Sequence, residues 1–343
     1  MTLKKRPIYG LLMAAVLAGC SADEGGTTAE NGDELVAVRL TASADATAEV
    51  SVTRSVSDLP SGTNFATDGS DKVHVWLYAD YSDRTTATSE ANGLYDDATF
   101  TTGTVTGGYN ALTISGTSDK LGKDKLYYPK GADYTAHFYA VHPATVASGA
   151  SFTVQPDQST DEGYKASDLM YANASNIING RTDKATPVQL EFAHQLSRIH
   201  VKLTSANIGV TVTRIQLVSV NTPHTLTFNQ TAMTLTPGGS SIPPDVTMFS
   251  GSQTLAADGY MHCYAVIPPQ VFAVGKQLVR VSYTLADGSA KEAYFHLPWE
   301  QEIAAGTQYN LDLRLANATV TLSALAIGSW TDSGAATIPL DKQ

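Results

Sequence analysis

A period of two governs this chain. In Lys72-Val73-His74-Val75-Trp76-Leu77-Tyr78 every second residue is apolar, and Val36, Val38 and Leu40 share one face in the same way. The alternation returns in Tyr134 to Val141, Val188 to Phe192, Ile199 to Leu203, Met261 to Ile267, Val279 to Leu285, Ala293 to Leu297 and Tyr309 to Leu315. Successive side chains of a strand point to opposite faces, so each run describes a half-buried β-strand. Turn signals lie between the runs: Asp68-Gly69, Gly107-Gly108, Asn179-Gly180, Pro237-Gly238-Gly239 and Asp287-Gly288. No window holds a helical apolar stripe over three turns. At most, a short helical turn fits near His194–Arg198. The expectation is an all-β chain of sandwich type.

A length of 343 residues suggests two domains. Tyr139-Ala140-Val141-His142-Pro143 is echoed by Tyr264-Ala265-Val266-Ile267-Pro268, in each case a strand ended by a proline that cannot extend the ladder. The polar stretch 173–186 precedes Pro187. Domains are therefore expected at 35–187 and 188–343, behind a leader at 1–19 and a tether at 20–34.

The leader has a basic tip, Lys4-Lys5-Arg6, a short apolar run from Leu11 to Leu17, and small residues before Cys20. That is the layout of an export signal, and the run is too short to span a bilayer. The tether, rich in Gly, Thr and acids, has no apolar periodicity. Net charge is −11 and falls further once the basic leader is removed. No basic patch is left to neutralise phosphates, so nucleic acid is excluded as a partner. Charged residues make up only 16% of the chain, with Thr, Ser, Asn and Gly supplying the polar surface, as in secreted β-proteins.

Motifs of catalysis are missing. Gly116 to Lys123 is one residue too long for a phosphate loop and is followed by Asp124 where Ser or Thr is needed. There is no GxSxG elbow and no HExxH. His74, His200 and His296 alternate with apolar neighbours and belong on outward faces. None pairs with a cysteine at ligand spacing, so no metal is expected. Asp157 to Gly163 departs from a calcium loop at its third and closing positions and reads as a solvated loop. Cys263 is in phase with Met261, Ala265 and Ile267, which makes it a buried apolar residue and no nucleophile. Neither an enzyme nor a cofactor is expected.

Several of these features carry resemblances. Leu17-Ala18-Gly19-Cys20 resembles the lipobox of bacterial lipoproteins, in which the cysteine is acylated and becomes the N-terminus. Asp23 and Glu24 resemble the acidic signal that sends Bacteroidetes lipoproteins to the outer face of the outer membrane, or are ordinary tether polarity. Further motifs follow in order: Val52-Thr53-Arg54, the strand from Lys72, Leu126-Tyr127-Tyr128-Pro129, Phe138 to Pro143, and Asp168 to Ala172. Leu190-Glu191-Phe192-Ala193-His194-Gln195-Leu196-Ser197-Arg198-Ile199, Gly306 to Leu311 and Ile327-Gly328-Ser329-Trp330 complete the series. In this order they resemble the fimbrillin-like proteins of Bacteroidetes, subunits of the major and minor (type V) fimbriae.

The resemblance implies two transthyretin-like β-sandwiches and export as an outer-membrane lipoprotein anchored through Cys20. It implies removal of the first strand by an arginine-specific protease, and polymerisation with other fimbrial subunits by strand exchange. Arg54 is the expected cut site, with Arg39 as its competitor. The expected donor strand is 320–340, with Val320, Leu322 and Ala324 on one face and Ala336, Ile338 and Leu340 on one face. His194 is the structural corner between the domains. The alternatives are a surface glycan-binding lipoprotein, and an uncleaved fimbrial anchor or tip adhesin.

Cys20→Ala removes the acylated residue, and stable anchoring needs two or more acyl chains. The variant is expected to remain unprocessed or to lose its surface residence, read by membrane fractionation and N-terminal mass spectrometry. Normal assembly on the cell surface would refute the role of Cys20.

Overall fold

The computed structural model describes residues 35–44, 65–81, 92–130, 134–178, 186–206, 209–239, 243–256, 259–316, 318–330 and 336–338. Cys20, Arg54 and Leu340 lie outside the described residues. The expected alternation resolves into strands. In chain order these are β1 (Leu40–Ala44), β2 (Lys72–Tyr81), β3 (Asn92–Thr106), β4 (Tyr109–Ile114), β5 (Tyr134–His142) and β6 (Ser151–Thr153). A helix, α1 (Asp161–Ser167), leads to β7 (Met170–Ile178), β8 (Val188–His194), β9 (Ser197–Ser205), β10 (Val210–Leu217) and β11 (Pro223–Phe228). Then follow β12 (Met233–Pro237), β13 (Val246–Leu255), β14 (Tyr260–Ile267), β15 (Gln270–Phe272) and β16 (Gln277–Thr284). The last are β17 (Ala290–His296), β18 (Gln301–Ile303), β19 (Thr307–Ala316), β20 (Thr319–Ser329) and β21 (Ala336–Ile338).

Seven strands close on themselves in the order β1-β4-β3-β2-β5-β7-β8. Their inward residues, among them Val73, Val75, Leu77, Phe138, Leu190 and Phe192, are fully buried in one core. The turn between β3 and β4 is the two-residue type, and Gly107 and Gly108 have φ of +60° and +87°. Such a hairpin needs left-handed backbone at both positions, which the Gly-Gly pair supplies without steric cost.

The second core lies between a four-stranded sheet, β13-β10-β16-β17, and a five-stranded sheet, β14-β9-β19-β20-β21. Val212, Ile215, Val279 and Val281 of the former meet Val201, Leu203, Met261, Leu311 and Leu313 of the latter. Inner faces of two sheets sharing a core make a β-sandwich. Two small sheets, β12-β11-β6 and β15-β18, complete the fold.

The structure moves the expected boundary. Val188–His194 does not open the second half; it pairs with β1 and β7 in the closed sheet, and Val188, Leu190 and Phe192 face the first core. The chain changes core between His194 and Ser197. Conversely, Phe152, Val154, Tyr164 and Leu169 precede Pro187 but belong to the second core. A polar stretch marks where a chain meets solvent, and here its residues 173–178 belong to strand β7 of the first sheet.

The helical turn expected near His194–Arg198 is a bend between β8 and β9. The helix lies in the stretch expected to be a loop. Thr160 caps it, its hydroxyl accepting the Gly163 N–H at 3.2 Å, and Asp161 and Glu162 occupy the first turn. Seven residues are too few to show a 3.6-residue period.

Phe192 sits edge-on to Phe65, with centroids 5.1 Å apart at 86°, and is fully buried. Phe192→Ala is expected to cost about 3–5 kcal/mol, measured as a lowered denaturation midpoint with the slope unchanged. A loss within the scatter of surface substitutions would place the ring outside the core.

Candidate functional site

The N-terminal segment is held mainly by its backbone. Val38 N–H donates to the Leu126 carbonyl (2.8 Å), Tyr128 N–H to Val36 (2.9 Å) and Val188 N–H to Arg39 (2.8 Å). From Leu40 the chain enters the closed sheet as β1, antiparallel to β4 and parallel to β8. Leu40 to Ala44 lie opposite Val188 to Phe192, while Thr41 and Ala42 lie opposite Ala111 and Asn110. Inward-facing Val36, Leu40, Ala42 and Ala44 are buried. Val36 and Leu40 each contribute roughly 1.5–3 kcal/mol by burial, and the two alanines far less. Within β1 only Leu40 is a large inward side chain, so the ladder is a substantial part of what holds the strand.

A side-chain bridge crosses the outer face of this strand. Tyr109 on β4 donates its hydroxyl to Glu191 Oε1 on β8 at 2.9 Å. Glu191 is opposite Ser43, and Tyr109 is next to Asn110, the partner of Ala42. The two flanking strands are therefore joined over β1, in space that only a small residue such as Ser43 leaves open. The neighbouring carboxylate raises the Tyr109 hydroxyl above its ordinary pKa, through the hydrogen bond itself. Behind β1, Asn110 is buried and donates to the Gly103 carbonyl at 2.8 Å, which keeps β3 and β4 together at a bulge.

The other end of the chain meets the corner at His194. Its ring is stacked on Trp330, centroids 3.7 Å apart at 7°, and Nδ1 donates to Asp168 Oδ1 at 2.7 Å. Trp330 N–H donates to the Gly306 carbonyl, and Gly306 N–H donates to the Leu196 carbonyl, both at 2.8 Å. Gly306 has φ +65°, which a side chain would strain. His194 thus packs as a hydrogen-bonded residue where the chain changes core.

This anchor divides the expected donor segment. Val320 and Leu325 are buried, and Leu322 packs beside them in the second core of their own chain. A register shift between Asp312 and Leu313 on β19 changes the phase of β20, so Ala324 leaves the face of Val320 and Leu322. Beyond Trp330, Ala336 and Ile338 lie in β21, whose three residues pair with Ile327 to Leu325 at the edge of the sheet.

Arg39 is exposed and immediately precedes β1. Cys263 is buried with Met261, Ala265 and Ile267, and burial pushes its thiol up, far from a reactive thiolate. His200 Nδ1 is 2.7 Å from Asn310 Oδ1 and its Nε2 is 2.8 Å from His262 Nδ1; burial lowers its pKa to about 3. Its neutral form serves a hydrogen-bond ladder across three strands. The carboxylate of Asp157 is taken up by the N–H and hydroxyl of Ser159 in a local turn. The feature that sequence reasoning missed is the Tyr109–Glu191 bridge, whose partners are far apart in the chain and have no shared motif.

A family model described as fimbrillin-like matches residues 53–330. The match begins beyond β1 and ends at Trp330, before β21. No curated protein matches the chain in sequence. Among solved structures, a candidate cell adhesion protein from Bacteroides ovatus aligns with a TM-score of 0.59 at 18% identity, over 88% of this chain and 100% of its own. A second, from Bacteroides uniformis, aligns with a TM-score of 0.51 at 19% identity, over 86% of this chain and 98% of its own. The shared feature at such identity is the fold.

Tyr109→Phe deletes the bridge over β1 and little else. Hydrogen exchange by mass spectrometry should show the amides of 40–44 exchanging several-fold faster, with global stability unchanged. Unchanged exchange there would show that the ladder alone holds the strand.

Proposed function

The chain belongs to the fimbrillin-like family, and from that premise we propose that it is a structural subunit of a cell-surface fimbria. It is exported as a lipoprotein through Cys20 to the outer membrane, cut after Arg54, and joined to neighbouring subunits by donor-strand exchange. Its role is mechanical and not catalytic.

The observation that carries this reading is the seat of β1. One short strand, its inward residues Leu40, Ala42 and Ala44, joins β4 to β8, and its loss leaves unpaired N–H and C=O groups along both walls of an apolar groove. Such an opening is a template for another chain, which would pair by β-augmentation. The span of β1 favours Arg54 over Arg39 as the cut. Cleavage after Arg39 leaves Leu40–Ala44 in place, whereas Arg54 is the first arginine beyond β1. The family match beginning at Thr53 accords with a mature chain that lacks β1.

For the donor, Val320 and Leu322 are committed to their own core, so the candidate share of 320–340 narrows to the part after Trp330. Ala336, Ile338 and Leu340 then supply the alternating apolar face. Breaking three edge pairs of β21 costs its own domain little, since no buried core strand is disturbed. Head and tail contacts differ, so the assembly grows as an open filament.

Arg54→Ala is expected to leave the subunit in its unpolymerised precursor form, while Arg39→Ala polymerises normally. Mass spectrometry of the N-terminus in fimbrial and outer-membrane fractions checks the cut. An assembled chain beginning at Leu40 would reassign it to Arg39. One still beginning at Cys20 would make the protein an uncleaved anchor or tip adhesin.

A further inference from the structure

Three side chains from separate parts of the chain converge outside the groove. His74 on β2 places Nε2 3.0 Å from Asp97 Oδ2 on β3 and 3.8 Å from Asp119 Oδ2 in the loop after β4. All three donor atoms lie within 4.8 Å of one another. His74 Nδ1 is 3.2 Å from the Thr99 hydroxyl, and the Trp76 ring closes one side with centroids 4.3 Å apart. His74 and Asp97 side chains are 11% and 14% exposed, and Asp119 is 58% exposed.

The backbone holds this arrangement in position. Asp119 N–H donates to the Asp97 carbonyl at 2.7 Å. The next two amides, of Lys120 and Leu121, donate to the buried carboxylate of Asp96 at 3.1 and 3.3 Å. The loop is fastened so that Asp119 faces Asp97 across His74.

Charge leaves room for a further component. Two carboxylates approach one imidazole nitrogen, and even a protonated ring balances only one of them. In the tautomer whose Nδ1–H donates to the Thr99 hydroxyl, Nε2 turns a lone pair toward both carboxylates; in the other, Nε2–H donates to Asp97. A neutral imidazole held through its other nitrogen, beside two carboxylates, is a divalent-cation donor set.

We propose that His74, Asp97 and Asp119 bind a divalent cation, zinc by preference, with water completing the coordination on the exposed side of Asp119. Three protein ligands plus water is a familiar zinc arrangement, with bonds of about 2.0–2.2 Å. A modest rotation of exposed Asp119 closes the remaining distance. Thr99 is a positioning residue that fixes the ring.

The site has a structural consequence. Its loop runs from β4, which pairs with β1, to Leu126–Tyr128, which bonds Val36 and Val38. A bound cation pins both of these elements to β2 and β3, and so stiffens the seat of the N-terminal segment. Cation binding stands on the three side chains alone, independent of strand exchange.

The test is calorimetric titration of EDTA-stripped, purified full chain with zinc chloride, with Tm followed in parallel. Saturable binding of one equivalent is expected, with Tm raised by roughly 4–6 °C at free metal well above Kd. Thr99→Val should weaken binding about tenfold, and Asp119→Asn and His74→Gln should weaken it further. Asp119 is on an exposed loop, so that variant carries the test should His74→Gln fail to fold. Preference for manganese over zinc would keep the site and reassign its metal. No saturable binding up to about millimolar zinc, or equal binding by wild type and Asp119→Asn, overturns the proposal and leaves an ion pair.

Discussion

A sheet that closes on itself has no free edge, and in the first half of this protein closure rests on five residues. β1 supplies ladder partners to β4 on one side and β8 on the other. Without it the sheet has two edges facing each other across a buried floor. Backbone polar groups in such a place are expensive to leave unpaired. The seat therefore demands a strand but is undemanding about which one, because Ala42 and Ala44 offer almost nothing to recognise.

The second dependence is the corner. β8 serves the first core and β9 the second, with only Gln195 and Leu196 between them. His194 is fixed at this passage by Asp168 and by the Trp330 ring, so the end of β20 is tied to the place where the two cores meet. A second tie lies farther along. Trp76 and Tyr139 of the closed sheet stack at 5.1 Å, and Phe228 of β11 packs against Trp76 at 5.2 Å. Val320 and Leu322 hold the sandwich together, while β21 only lines its edge.

Much of the fold was legible because alternation is written locally. The runs at Lys72, Tyr134, Ile199, Met261 and Tyr309 are all strands, and the turn signals at Gly107-Gly108 and Asp287-Gly288 fall between paired strands. Where alternation was blurred, the reading failed. β3 carries Asp96, Thr102 and Gly103 on a strand whose carboxylate is fully buried, with three backbone N–H groups donating to its Oδ1. By composition that stretch looks like a loop. The phase change in β20 escaped notice for a related reason: Ser323 is the extra residue in the pairing with β19, where consecutive Asp312 and Leu313 face Ala324 and Leu322, and only that pairing reveals it.

The sequence by itself determined that the chain is all-β, that Cys263 is buried, and which residues face inward along each clear strand. These follow from side-chain polarity at successive positions, which each segment carries within itself. Strand pairing decided the rest: that Val188–His194 belongs with the first core, that Tyr109 reaches Glu191 over β1, and that His74 meets Asp97 and Asp119. Each joins residues tens of positions apart, and a period-two pattern specifies the face of a strand but not its neighbour.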